Sequence, residues 1–203
     1  YVKALIEFED RWFRWHPGIN PVSIARSAAA NIRSGHVVSG GSTISMQVIR
    51  MSRDRERTMW QKMVEAVLAT RLELRYSKDE ILGLYASHAP FGGNVVGIEA
   101  ASWRYFGRPA GEMSWAEAAT LAILPNSPSS IRPGKNGEKL LAKRNRLLFR
   151  LFENGEMSRG DYGLACAEPL PPEPSPLPSY ASHLVDRLAG TEDRSRPIRT
   201  AID

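Results

Sequence analysis

The sequence predicts a mainly α fold, on two observations. Short apolar runs recur at spacings of three and four residues, the period of one helix face, and they are separated by Gly, Pro and Ser, while strand-like alternation is scarce. Asn20 before Pro21 reads as an N-cap with proline at the first helical position, and Gly35 closes that helix after Ala28, Ala29, Ala30 and Ile32. A longer helix is predicted from about Thr58 to Arg75. Ser77 with Glu80, and Ser114 with Glu117, have the capping-box spacing ahead of apolar runs and mark two further helix starts. Another helix is predicted from about Lys139 to Phe152, stopped by Asn154-Gly155. Beyond Ala167, Pro169, Pro171, Pro172, Pro174, Pro176 and Pro178 follow within ten residues, which predicts an extended connector. Ser182 to Leu188 has the pattern of a short helix, and Arg194 to Asp203 reads as the opening of a further region. The expected division is a domain over 1–167 and a Pro-rich linker with the start of a following region over 168–203.

Composition narrows the classes. Hydrophobic residues at 42% and charged residues at 24% can build a core, which excludes disorder or a fibrous repeat for the chain as a whole. A formal charge of +5 favours an anionic partner without choosing among nucleic acid, membrane and a phosphorylated substrate. The one cysteine, Cys166, excludes an intrachain disulfide and a cysteine-based zinc cluster. No stretch reaches the roughly 18 apolar residues of a membrane span, and the chain opens at Tyr1 without methionine, so it reads as part of something longer.

Three segments carry residues suited to chemistry. In Glu9-Asp10-Arg11-Trp12-Phe13-Arg14-Trp15-His16-Pro17-Gly18, a carboxylate beside aromatic rings can be desolvated and so become a better base. The plainer reading is an amphipathic helix end with solvated acids. In Gly40-Gly41-Ser42-Thr43-Ile44-Ser45-Met46-Gln47, glycines and hydroxyls open a helix as they do around a bound anion, although a capped helix start explains them too. The spacing is not that of a Walker loop, and Arg50 can add a cation one or two turns on. In the third segment Thr58, Lys62, Glu65 and Ala69 share a helix face, where Lys62 and Glu65 can form an ordinary i,i+3 ion pair.

Taken together and in order, these motifs resemble those of the family 51 glycosyltransferases, the peptidoglycan polymerases. The resemblance runs through Glu9-Asp10, Gly40-Gly41-Ser42-Thr43, Gln47, Lys62, Glu65, Lys78, Ile81, Leu82 and Tyr85. It continues through Gly92, Gly93, Gly97, Tyr105-Phe106-Gly107, Leu124-Pro125 and Lys143-Arg144-Asn145, covering about residues 1 to 150. Met46-Gln47 and the ending Pro197-Ile198-Arg199-Thr200-Ala201-Ile202-Asp203 resemble the 1C subgroup of class A penicillin-binding proteins, in which a transpeptidase domain follows.

The resemblance implies a lysozyme-like helical lobe with a smaller membrane-facing jaw lobe, for which the neighbourhood of Gly18 to Val38 is the candidate. It implies polymerisation of lipid II with inversion and loss of undecaprenyl pyrophosphate at the periplasmic face of the bacterial inner membrane. Glu9 matches the general base and Glu65 the second catalytic carboxylate. Asp10, Ser42, Thr43, Gln47, Arg50 and Lys62 match substrate-binding positions, with Arg50 and Lys62 neutralising the pyrophosphate. Phe13, His16, Gly18, Gly41, Lys78, Tyr85 and Arg144 match positions that shape the site. The implied partners are lipid II, the growing glycan strand, the membrane surface and other cell-wall synthesis proteins, with no nucleic acid. A divalent cation, magnesium or manganese, serves some members; no metal ligand is assigned, and no organic cofactor is implied. The sequence departs from the pattern at Gln61, where arginine is usual, and at Ser87, where asparagine is usual. Two other readings compete. A lysozyme-like peptidoglycan-cleaving enzyme also uses two carboxylates on a helical scaffold. A non-catalytic module for lipid II or an anionic surface would use the basic charge alone.

Overall fold

The structure, a computed structural model, describes residues 1–36, 41–53, 58–92, 94–126, 136–171 and 174. Val37, Val38, Gly40 and Gly93, most of the proline run, the short helix expected over Ser182 to Leu188 and the region from Arg194 onward lie outside the described residues.

The chain is mainly α, as expected. In order it forms α1 (Val2–Glu9), α2 (Pro21–Ser34), α3 (Ile44–Met51), α4 (Met59–Glu73), α5 (Lys78–His88), the short strands β1 (Pro90–Gly92) and β2 (Val95–Val96), α6 (Ile98–Phe106), α7 (Trp115–Ile123), α8 (Gly137–Glu153) and α9 (Arg159–Ala167). Three 3₁₀ turns, Phe13–Trp15, Ala110–Glu112 and Leu124–Asn126, join them.

Helix starts follow side-chain chemistry. Asn20 accepts from Ser23 N, Thr43 from Met46 N and Thr58 from Gln61 N, each satisfying a backbone N–H that lacks an intrahelical partner. Both predicted capping boxes form, and a third, Ser158 with Asp161, opens α9. Gly35 ends α2 in the left-handed conformation.

α7 organises the core. Ala116 through Ile123 are all buried, a pattern that only a helix enclosed on every side can hold. The small side chains of Ala116, Ala118, Ala119 and Ala122 let neighbouring helices come close, and α1, α6, α8 and α9 all pack on α7. A second group is built by α3 against α4 and α5. Leu5 and Phe13 near the chain start, Ile44 of α3, and Ile81 and Tyr85 of α5 join both groups in one apolar cluster. The C-terminal end of α1 is thus held between two packed groups.

α2 behaves differently. Val22, Ile24 and Ile32 are exposed, and among the described residues no other helix makes an extensive contact with it. It meets the body at Gly41, whose φ of +55° suits glycine and where an added Cβ would come within 2.9 Å of Ser27 Oγ and 3.1 Å of the Ser23 carbonyl.

Candidate functional site

Glu9 is the last residue of α1, and its carboxylate is divided between two environments. Gln47 Nε2 donates to its Oε2 at 2.7 Å, while its Oε1 is buried without a well-formed hydrogen bond among the described residues. The Tyr85 hydroxyl donates to Gln47 Oε1 at 3.5 Å, which fixes the amide with its NH₂ toward Glu9. Burial pushes the Glu9 carboxyl above the ordinary 4.5, the Gln47 hydrogen bond opposes this, Asp10 adds to it, and Arg50 and Asn126 oppose it. Burial, with the Glu9 charge adding, also pushes the Tyr1 and Tyr85 phenols upward, so both stay neutral.

The loop after Glu9 is fastened at several points. Asp10 Oδ2 lies 2.9 Å from His16 Nε2 and accepts from Ile44 N at 3.2 Å, at the positive end of α3. Thr43 Oγ1 donates to the Gly18 carbonyl at 2.6 Å. Gly18 has φ +92° and lies against α4 so closely that a Cβ would stand 2.7 Å from the Ala69 carbonyl carbon. Lys78 Nζ donates to the His16 carbonyl at 2.6 Å and stands 4.3 Å over the Phe13 ring.

Glu65 is held by Arg50. The guanidinium reaches both carboxylate oxygens at 2.8 to 3.2 Å, and its Nη2 also donates to Ser42 Oγ at 3.2 Å. The two side chains are only 27% and 12% exposed, so this fork is partly desolvated and geometrically fixed. Lys62 is half-buried three residues before Glu65 on α4. The ion pair that the spacing allowed for Glu65 is thus realised with Arg50, because a guanidinium from α3 can grip both oxygens at once.

The structure therefore brings together Glu9, Gln47, Tyr85, Arg50, Ser42 and Glu65 as expected, with Lys62 on the adjoining turn. Two positions matched to substrate binding carry loop contacts: Asp10 Oδ2 lies against His16 Nε2 and accepts from Ile44 N, and Thr43 Oγ1 donates to the Gly18 carbonyl and accepts from Met46 N, so both fasten the loop. Arg144, matched to a position that shapes the site, lies apart from this cluster. Buried at 1% exposure, it donates to Asn145 Oδ1 and the Cys166 carbonyl, and it lines a cavity of about 280 Å³ with Tyr105, Glu117, Thr120 and Glu168. Sequence reasoning missed Ser45, Glu73 and Asn126; Glu73 had a legible signal, a carboxylate four residues before the Ser77 N-cap, but nothing in the spacing pointed it inward. Among the described residues no group of three or more His, Cys, Asp or Glu could hold a metal ion by itself.

The family model described as transglycosylase matches residues 1–152. The chain belongs to the transglycosylase family. Membership makes it a peptidoglycan glycosyltransferase domain, in line with the fold and with the carboxylate and cation cluster. Penicillin-binding protein 1C of Escherichia coli is 43% identical over all 203 residues, which are 26% of that protein. Penicillin-binding protein 1A of Aquifex aeolicus is 37% identical over 188 residues, 92% of this chain and 26% of that protein. The chain thus spans about a quarter of the length of these relatives. Among solved structures, the crystal structure of penicillin-binding protein 1A from Haemophilus influenzae aligns at a TM-score of 0.45 and 22% identity, over 75% of this chain and 20% of that one.

Proposed function

We propose that this domain polymerises lipid II, with Glu9 as the general base. The carrying observation is the buried Glu9 carboxylate, one oxygen oriented by Gln47 and the other without a well-formed hydrogen bond among the described residues, with burial raising its proton affinity against the Gln47 and Asn126 amides. Such a group accepts a proton more readily than a solvated carboxylate and is oriented to do so. The acceptor sugar's 4-hydroxyl gives its proton to Glu9 as its oxygen attacks the donor's anomeric carbon from the face opposite the pyrophosphate, which inverts the centre.

The leaving pyrophosphate is a stable anion, so it needs cations more than an acid. Arg50 and Lys62 supply them, with Ser42 as a neutral donor, and Glu65 keeps the Arg50 fork aimed. This charge pattern favours synthesis over hydrolysis, because cleavage between neutral sugars wants a protonated acid at the leaving oxygen. A divalent cation, if the reaction uses one, would be held chiefly by the donor's phosphates and water, as magnesium commonly is.

The membrane surface is the proposed setting, on the periplasmic side. Trp60, Met63 and Val67 recur at i, i+3 and i+7 on α4 and are all exposed, and α2 adds Val22, Ile24 and Ile32. That spreads the apolar surface beyond the Gly18 to Val38 neighbourhood to the helix that carries Glu65. Among the described residues no helix is long and apolar enough to cross a membrane.

The test is incubation of the chain and its Glu9→Gln variant with labelled lipid II in detergent, with and without magnesium or manganese, and separation of products on a gel. A ladder of glycan strands that depends on Glu9 is expected. A ladder of equal intensity from Glu9→Gln removes Glu9 from the base role, and short sugars released from finished glycan without lipid II would favour the hydrolase.

A further inference from the structure

Glu73, the last residue of α4, has no part in the chemistry above, yet its side chain is only 7% exposed and both its oxygens are engaged. Ser45 Oγ, on the fully buried first turn of α3, donates to Oε1. Lys78 Nζ, at the first position of α5, bonds Oε2 at 2.5 Å. The same ammonium donates to the His16 carbonyl and covers Phe13. One carboxylate thus gathers α3, the end of α4, the start of α5 and the loop that follows Glu9.

From this geometry we infer that Glu73 is a positioning residue for Glu9, acting through Lys78 and Ser45 to hold the Asp10–His16 loop against α3 and α5. Without the carboxylate, a half-buried ammonium keeps only a carbonyl and a ring face, and the cost of leaving it unpaired drives it toward water. The His16 carbonyl and the Phe13 ring lose their clamp, and the loop no longer seals the end of α1. Glu9 then gains water and loses its alignment toward the reacting oxygen. A shift of about 1 Å in such a group can cost about 10²-fold in rate.

The role rests on Glu9 being the base, but its test does not depend on turnover. The probe is the proton affinity of Glu9 itself, read by carboxyl NMR of the full chain labelled at glutamate, with Glu9→Gln identifying the resonance. The charged and polar groups facing Glu9 are Asp10, Arg50, Gln47, Asn126, Tyr1 and Tyr85; Glu73 is not among those that shift it directly. Wild type is expected to titrate above the ordinary value, because burial raises the Glu9 carboxyl. Glu73→Gln should move the Glu9 titration down toward that range, and so should the double variant Glu73→Gln with Lys78→Met, which keeps the net charge and leaves no buried ion unpaired. If the single variant fails to fold, the double variant decides alone. An unmoved titration overturns the inference, and so does a move confined to the single variant, which would be a through-space charge effect. With lipid II as substrate, the polymerisation rate should fall by roughly 10- to 100-fold with KM within about twofold, and the acid limb of the pH profile should move with the NMR titration. A uniform scaling of that profile would mean fewer folded molecules and would also overturn it. Full activity of Glu9→Gln, by contrast, would remove the base assignment and leave the NMR result standing.

Discussion

Glu9 and Glu65 are two carboxylates tied to the same helix, α3, one through Gln47 and the other through Arg50. Their surroundings are opposites. Glu9 faces the neutral amides of Gln47 and Asn126 and has the C-terminal end of α1 behind it, where the helix dipole disfavours negative charge. Glu65 has a guanidinium across both oxygens. The first is set in a buried, weakly bonded place, and the second has both oxygens gripped by a cation. Environment, more than residue type, separates a base from an electrostatic support.

Removing Glu9's capacity should give the largest effect. Glu9→Gln keeps shape and the contact with Gln47 but cannot take a proton, so polymerisation should fall by about 10²- to 10⁴-fold in a lipid II assay, with the fold retained by circular dichroism. Arg50→Ala comes next. It removes a cation from the phosphate side and strands Glu65, so we expect a rate loss of about 10²-fold together with a stability loss of about 3 kcal/mol in urea titration. Arg50→Lys keeps the charge but not the fork; if it behaves as wild type in both measurements, the bidentate geometry has no role and the contrast with Glu9 weakens.

A smaller effect reads the burial of Glu9 through pH. Because the folded state raises the Glu9 proton affinity above the unfolded value, the folded chain binds more protons in the window from the ordinary 4.5 up to the raised value. The group's contribution is therefore fully present below that window and is lost as pH rises through it. Glu9→Gln, which cannot ionise, should melt at a higher temperature than wild type at pH 7, and the gap should close as the pH approaches 4. Activity should run the other way, rising with pH as Glu9 ionises. A Tm gap independent of pH would show that Glu9 is not desolvated.

Much of this was legible in the sequence, and the reasons differ by part. Asn20-Pro21, Ser77 with Glu80 and Ser114 with Glu117 are local chemistry, and local chemistry survives folding unchanged. The α9 box at Ser158 and Asp161 has the same logic, but it lies where the apolar pattern is short and the proline run begins, so it passed unread. Site residues were identified by ordered motifs, which say that side chains matter and not what they touch. Asp10 and Thr43 belong to the motifs, and their hydrogen bonds show each fastening the loop, a role that position in a motif does not distinguish from substrate binding. Arg144 lies in a basic run and Glu73 near a helix end; only packing buries one beside α9 and the other under Lys78.

The smallest expected effect concerns the cation that the sequence lacks. Gln61 is half-buried, one residue before Lys62 and four before Glu65, so an arginine there would follow the α4 face toward the proposed pyrophosphate position. Partly solvated cations contribute about 0.2 to 1 kcal/mol, so Gln61→Arg should tighten lipid II binding by roughly two- to fivefold, with a steeper dependence on salt. The binding gain and the rate need not move together. If KM falls while kcat is unchanged, the added cation holds the donor equally in ground and transition states. If kcat rises, the arginine meets charge that develops only as the bond breaks, and the phosphate side, now represented by Arg50 of α3 and Lys62 of α4, is short of transition-state charge in the native chain. Unchanged affinity at low salt would mean that Arg50 and Lys62 already saturate the phosphate side. The division between a proton-accepting Glu9 and a charge-organising Glu65 would then be complete with the residues present.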